Sequence, residues 1–162
     1  MVYNTVLGFL QNTDDAEDIT QDVFIKLYEN IGSFKQQAKL STWLYRISIT
    51  QAMDLVRYRN RKKRGGFIIS LFGSNQELLY EPPDFDHPGV LTENREQAGI
   101  LFKAINKLPE SQKTAFLLQK TQDCSQQKIA EIMQVSEGAV ESLLSRAKAN
   151  LKKSLANYYA SL

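Results

Sequence analysis

Hydrophobic positions recur every three or four residues over most of this chain. Between 14 and 30, Ala16, Ile19, Val23 and Leu27 make one stripe, the mark of an amphipathic helix. Asn12 or Thr13 stands ready to cap its start, and Asp14, Asp15 and Glu17 suit the partial positive charge of a helix N-terminus. Gly32-Ser33 closes it, and a polar stretch runs on to Lys39. From a cap at Ser41 or Thr42 the pattern predicts a long helix to about Arg64, stopped by Gly65-Gly66. On that helix Leu44, Ile47, Gln51, Leu55 and Tyr58 share one side; Arg46, Thr50, Met53, Arg57 and Arg61 share the other, near Trp43.

Residues 65–92 break the pattern. They hold Gly65-Gly66, Gly73, Pro82-Pro83 and Pro88-Gly89, and no helical stripe survives among them, so they read as a flexible linker. Helical spacing resumes from about Thr92, with Ala98, Leu101, Ile105 and Leu108 in one stripe. Pro109 fits the first turn of the next helix, which runs to about Thr121. Ser125 caps a short helix carrying Ile129, Ile132 and Met133. A turn at Gln134-Val135 follows, and Ser136 caps a last helix with Val140, Leu143, Leu144, Ala147 and Leu151 inward. The expected fold is all-α: two small helical domains, 1–64 and 93–162, joined by the linker 65–92, with little burial between them.

The order of short helix, tight turn and longer helix from Ser125 onward is that of a helix-turn-helix, whose second helix enters the DNA major groove by its N-terminal end. Ser136, Ser142, Arg146 and Lys148 are polar groups placed for that contact, beside Glu137. An ordinary helical hairpin in a bundle would give the same hydrophobic pattern.

Charge sharpens the picture because it is distributed in blocks, although the net charge is only +2. Residues 1–30 hold six acids against Lys26, and residues 31–64 hold nine bases against Asp54. The long helix ends in Arg57-Tyr58-Arg59-Asn60-Arg61-Lys62-Lys63-Arg64, dense enough to follow a phosphate backbone. Trp43, near that face, can stack on an unpaired base or serve as core. Asp18, Gln21 and Asp22 lie opposite the apolar stripe of their helix, which fits either solvation or docking on a basic protein surface.

Chemistry of other kinds is thinly represented. The single His87 sits in a proline-flanked stretch, and no glycine-rich phosphate loop or histidine–carboxylate cluster occurs, so no catalytic residue, metal site or cofactor is expected. One cysteine, Cys124, excludes an internal disulfide. No apolar run approaches the roughly 18 residues of a membrane span, and the first residues do not have the pattern of a signal peptide. A cytoplasmic protein without membrane insertion is expected.

Several of these segments together resemble the extracytoplasmic-function (ECF, group 4) sigma factors of bacterial RNA polymerase. Asp15-Ala16-Glu17-Asp18-Ile19-Thr20-Gln21-Asp22-Val23-Phe24 is similar to the start of their conserved region 2. Thr42-Trp43-Leu44-Tyr45-Arg46-Ile47, with Asp54 and the basic run, is similar to the part of region 2 that reads the promoter −10 element. Leu108-Pro109-Glu110, Ile129-Ala130-Glu131-Ile132 and Val140 through Lys148 resemble region 4, which binds the −35 element. The linker and region 4 are most similar in style to sigma factors of Bacteroidetes. The family usually extends further before Val2-Tyr3, so most of the first helix of region 2 is expected to be missing.

The resemblance implies a non-catalytic subunit that brings core RNA polymerase to promoter DNA. It places Asp18, Gln21 and Asp22 on the polymerase, and Trp43, Arg46, Thr50, Arg57 and Arg61 at the melted −10 element. Ser136, Ser142, Arg146 and Lys148 fall at the −35 duplex, and an anti-sigma factor is a further possible partner. Thr50 stands where many members carry Asn; Glu141 and Leu143 stand where many carry basic residues, so no base contact is carried over to those two. Two other classes compete: a regulator with an effector module before its helix-turn-helix, and a small nuclease. A regulator binds duplex operator without polymerase, and a nuclease needs clustered carboxylates on a basic scaffold.

Overall fold

The computed structural model describes residues 1–34, 39–70 and 95–160; the side chains of 33, 62–70, 95–96 and 157–159 lie outside the description. Within it the chain is all-α, with helices α1 (Val2–Leu10), α2 (Thr13–Asn30), α3 (Leu40–Ser70), α4 (Arg95–Asn106), α5 (Glu110–Thr121), α6 (Gln126–Met133) and α7 (Glu137–Ala160). A single 3-10 turn, Ile31–Ser33, follows α2.

Local capping explains where several helices begin. Asn12 has extended backbone, and its side chain accepts from Asp15 N at 2.8 Å, so Asn12 and not Thr13 caps α2. Ser125 does the same for α6 through Lys128 N, and Ser136 for α7 through Ala139 N, both at 3.2 Å. The long helix begins at Leu40, ahead of the expected cap. It also continues through Gly65-Gly66 to Ser70, so the first six residues assigned to the linker are helical; 71–94 lie outside the described residues.

Most of the expected stripe positions are buried: Ala16, Ile19 and Val23 on α2, Ile105 on α4 with Leu108 after it, and Val140, Leu144, Ala147 and Leu151 on α7; Leu101, placed in the α4 stripe, is instead 38 % exposed. The division of α3 into an apolar and a basic side needs correction. Met53, placed on the basic side, is buried, and Tyr58, placed on the apolar side, is 56 % exposed. The apolar face of α3 is instead centred on Tyr45, Ala52 and Met53, with Thr42 and Ser48 buried beside them. Ser48 resolves its buried hydroxyl by donating to Leu44 O at 2.7 Å.

Little burial between two halves was the expectation, and the structure differs. α1 packs on α2, α3 and α5, and α3 packs on α6. One core cluster runs from Val6, Leu7 and Phe9 of α1 through Val23 and Met53 to Leu117, Ala147 and Leu151. Val6, Leu7 and Phe9 are fully or almost fully buried, each worth roughly 1.5–3 kcal/mol relative to exposure. The second cluster, beneath the helix-turn-helix, joins Ala115, Leu118, Ile129, Ile132, Val140 and Leu144 to Tyr45 of α3.

Candidate nucleic-acid and polymerase interfaces

The helix-turn-helix is built as its sequence suggests. α6 ends at Gln134, which adopts left-handed backbone (φ 58°) and returns its N–H to Ala130 O. Val135 N also reaches Ala130 O, at 3.2 Å, which tightens the turn before Ser136 opens α7. Ile129, Ile132, Val140 and Leu144 hold α6 against α7 from below. This leaves Ser136, Ser142, Arg146 and Lys148 exposed along α7. The Ser136 hydroxyl is engaged with the helix start, where it satisfies the Ala139 amide.

On α2, Asp18, Gln21 and Asp22 are all exposed, as their positions opposite the stripe require. They share that surface with Phe24, Ile25 and Tyr28, which are 50 %, 55 % and 84 % exposed. Phe24 and Tyr28 fall off the apolar stripe, and that misplacement was the available signal in the sequence. The face is therefore mixed, acidic and aromatic, and open to solvent.

The basic face of α3 is only partly open. Trp43 is half-buried and stacks on Phe34, with ring centroids 5.3 Å apart and planes at 29°. Thr50 and Arg61 are exposed. Arg46 is turned onto α6, where its Nε donates to Ile132 O at 3.1 Å and its Nη2 to Glu131 O. Arg57 forms an ion pair with Glu110 at the start of α5 and a second, at 3.2 Å, with Asp54. Arg59 forms a two-pronged pair with Asp15 of α2, one arm at 2.7 Å. The structure therefore gathers Trp43, Arg46, Thr50 and Arg57 on one side of α3 but covers part of that side with α5 and α6. A cleft of about 540 Å³ remains, bounded by Arg46, Thr50, Glu110, Thr114 and Gln134.

Three groups in this region were not singled out in the sequence. Lys113 on α5 is buried, and its Nζ donates to Phe9 O at 2.9 Å and Asn106 Oδ1 at 2.6 Å. Burial pushes its pKa down to about 8. Lys128 on α6 donates to the hydroxyls of Ser41 and Thr42 at the start of α3. Burial, with Cys124 alongside, pushes the Tyr45 phenol up to about 12. Among the described residues no group of three or more His, Cys, Asp or Glu side chains could hold a metal ion. No helix there is long and apolar enough to cross a membrane.

A helix-turn-helix whose second helix is exposed, on a chain that also carries a long helix with a basic run, is the arrangement of a DNA-binding protein. Comparison with known proteins narrows the class. Residues 1–62 match the family Sigma-70 region 2, and residues 98–151 match Sigma-70, region 4. The chain is 33% identical over 148 residues to the ECF RNA polymerase sigma-E factor of Haemophilus influenzae, covering 90% of this chain and 78% of that protein. It is 32% identical over 158 residues to the ECF RNA polymerase sigma factor SigW of Bacillus subtilis, covering 95% and 82%. The chain belongs to the extracytoplasmic-function family of RNA polymerase sigma factors. The sigma factor RpoE of Bartonella quintana, solved with the anti-sigma factor NepR, shares its fold at a TM-score of 0.60 and 25% identity, covering 95% of this chain and 89% of that one. CnrH, solved with the cytosolic domain of CnrY, shares the fold at a TM-score of 0.66, covering 96% and 80%.

Proposed function

We propose that this chain binds core RNA polymerase in the cytoplasm and directs it to promoters, with one surface for each promoter element. The observation that carries the reading is the helix-turn-helix of α6 and α7, whose polar N-terminal half of α7 is free for a major groove. Ser136, Ser142, Arg146 and Lys148 meet the −35 duplex there. Trp43, Arg46, Thr50, Arg57 and Arg61 meet the −10 element, where an aromatic beside basic groups suits an unpaired strand. Asp18, Gln21 and Asp22, flanked by Phe24, Ile25 and Tyr28, dock on polymerase. Residues 1–64 and 93–162 act as two domains and 65–92 as the connection between them. No catalysis is assigned to the chain: chemistry belongs to the polymerase. The solved RpoE–NepR pair supports an anti-sigma factor as a further partner.

The test is run-off transcription with core polymerase and a promoter library. Enrichment of a shared two-part sequence, dependent on this chain, is expected. Transcription no different from core polymerase alone would reject the assignment.

A further inference from the structure

Charge along α4 and the later part of α7 is of one sign. Residues 97–109 and 142–162 hold Lys103, Lys107, Arg146, Lys148, Lys152 and Lys153 and no Asp or Glu. All of these bases are exposed, and none forms an ion pair among the described residues. Lys103 and Lys107 fall on one side of α4 and its end, and Arg146 and Lys153 fall on one side of α7. α4 packs on α7, and a cleft of about 270 Å³ lies between them. Buried Ala104 and Leu108 bound it from within, and Lys107 and Lys153 stand at its two walls. An apolar hollow between two unpaired ammoniums suits an aromatic ring flanked by acids.

The same chain carries that complement on α2. Asp14, Glu17, Asp18, Asp22 and Glu29 are exposed there against one base, Lys26. Among the described residues only Asp15 of the α2 acids is in an ion pair, with Arg59. Asp18, Asp22 and Glu29 share a side of α2 at spacings of four and seven, the spacings of Lys103–Lys107 and Arg146–Lys153. Ile25, 55 % exposed, joins that side to Tyr28, which at 84 % is the most exposed large hydrophobic side chain described. A ring so open is not seated on its own chain. The cleft has room for it, since a cavity of about 150 Å³ already takes benzene. We propose that copies of this chain associate head to tail, Tyr28 of one copy entering the Lys107–Lys153 cleft of the next, with the acidic side of α2 laid on the cationic side of α4 and α7.

The two faces differ, so the contact is heterologous: a pair of copies leaves one acidic face and one cleft open, and association continues beyond the dimer. The charged groups are exposed on both sides, so their attraction is screened by salt. Tyr28 supplies the part that salt does not remove, because a ring taken out of water gains by its apolar area. A phosphate backbone would also be drawn to the lysines, but it would give Tyr28 no role. Self-association of this kind needs neither promoter nor polymerase, and its failure leaves the proposed function untouched.

The test is sedimentation velocity of the full chain over rising concentration, at low and at high salt. Expected at low salt is a shift to larger species as concentration rises, weakened at high salt. Tyr28→Ala weakens association by about tenfold, as the loss of a seated interface aromatic does. Lys107→Glu with Lys153→Glu abolishes it, and so does Asp18→Lys with Asp22→Lys. Lys39→Glu with Lys120→Glu makes the first of these charge changes elsewhere and leaves association as in the natural chain. Every changed side chain is exposed, so the fold is kept. Mixing the two face-reversed variants restores association, because acid and base have only changed sides. That restored association is weakened again when both variants also carry Tyr28→Ala, which leaves every charge in place. A natural chain that sediments as a monomer throughout overturns the pairing. So does association that Tyr28→Ala leaves unchanged, and so do face-reversed variants that stay apart when mixed.

Discussion

Lys113 offers a quantitative check that α1 and α5 are packed together in solution. Its ammonium is buried, 5.6 Å from the centroid of the Phe9 ring, with a folded pKa of about 8 against an ordinary lysine value of 10.5. At about 1.4 kcal/mol per unit of pKa difference, burying the charged form costs about 3 kcal/mol. Below pH 8 the lysine is protonated in both folded and unfolded chains, and that cost is present in full. Between pH 8 and 10.5 the unfolded chain binds more protons than the folded one, so stability rises with pH. The neutral amine still donates to Phe9 O and Asn106 Oδ1, so the hydrogen bonds survive deprotonation.

Lys113→Met removes this dependence and leaves Phe9 O without its donor, a loss of about 1–3 kcal/mol. At pH 7 the variant is therefore as stable as the natural chain or up to about 2 kcal/mol more so. The difference between the two then moves in favour of the natural chain by about 2 kcal/mol from pH 7.5 to 9.5. Tyr45 acts in the opposite sense: with its folded value raised from 10.0 to about 12, it contributes stability that is lost as pH rises from 10 to 12. Burial also pushes up the Cys124 thiol, with the same sign. Both groups are present in both proteins and cancel in the comparison. Urea unfolding of each protein at half-unit steps of pH supplies the measurement. A difference that stays flat across this range means that Lys113 is solvated, and the joining of α1 to α5 is then wrong.

Two further variants address the docking and reading surfaces. Asp18→Lys reverses a charge on the open face of α2, away from the buried stripe; it should weaken capture by core polymerase while moving stability by no more than about 0.5 kcal/mol. Equal loss of capture and of melting temperature would show that the face is structural. Replacing Arg146 and Lys148 with Ala should weaken polymerase-bound chain on a double-stranded −35 probe and lower the salt slope by about one unit for each lost phosphate contact. An unchanged slope would remove these two side chains from the DNA surface.

Legibility in the sequence followed the range of the interactions. The caps of α2, α6 and α7 join residues three apart, and their stripes repeat within one turn, so both could be read directly. α1 is hard to read as a helix because Asn4 is its one exposed residue, too little polar surface to set a period. Val2, Thr5, Val6, Leu7, Gly8 and Phe9 are all buried, against partners on both halves of the chain. Gly65-Gly66 was overvalued as a stop: glycine is a weak helix former that a helix can still contain. The proposed site residues lie on the helices that periodicity predicts, but their present partners were out of reach. Arg46 meets carbonyls 85 and 86 residues away, and a backbone carbonyl leaves no trace in side-chain pattern. Lys113 looked like a surface lysine because its acceptors, Phe9 O and Asn106 Oδ1, are also invisible to periodicity.

The Phe34–Trp43 stack carries a practical consequence. Trp43 is the chain's only tryptophan, so indole emission excited at long wavelength arises from this one place, beside the basic side of α3. The protein is thus born with a single-site optical probe at the surface proposed for the −10 strand, and titrations of unlabelled chain can be followed without introducing a dye or disturbing Cys124.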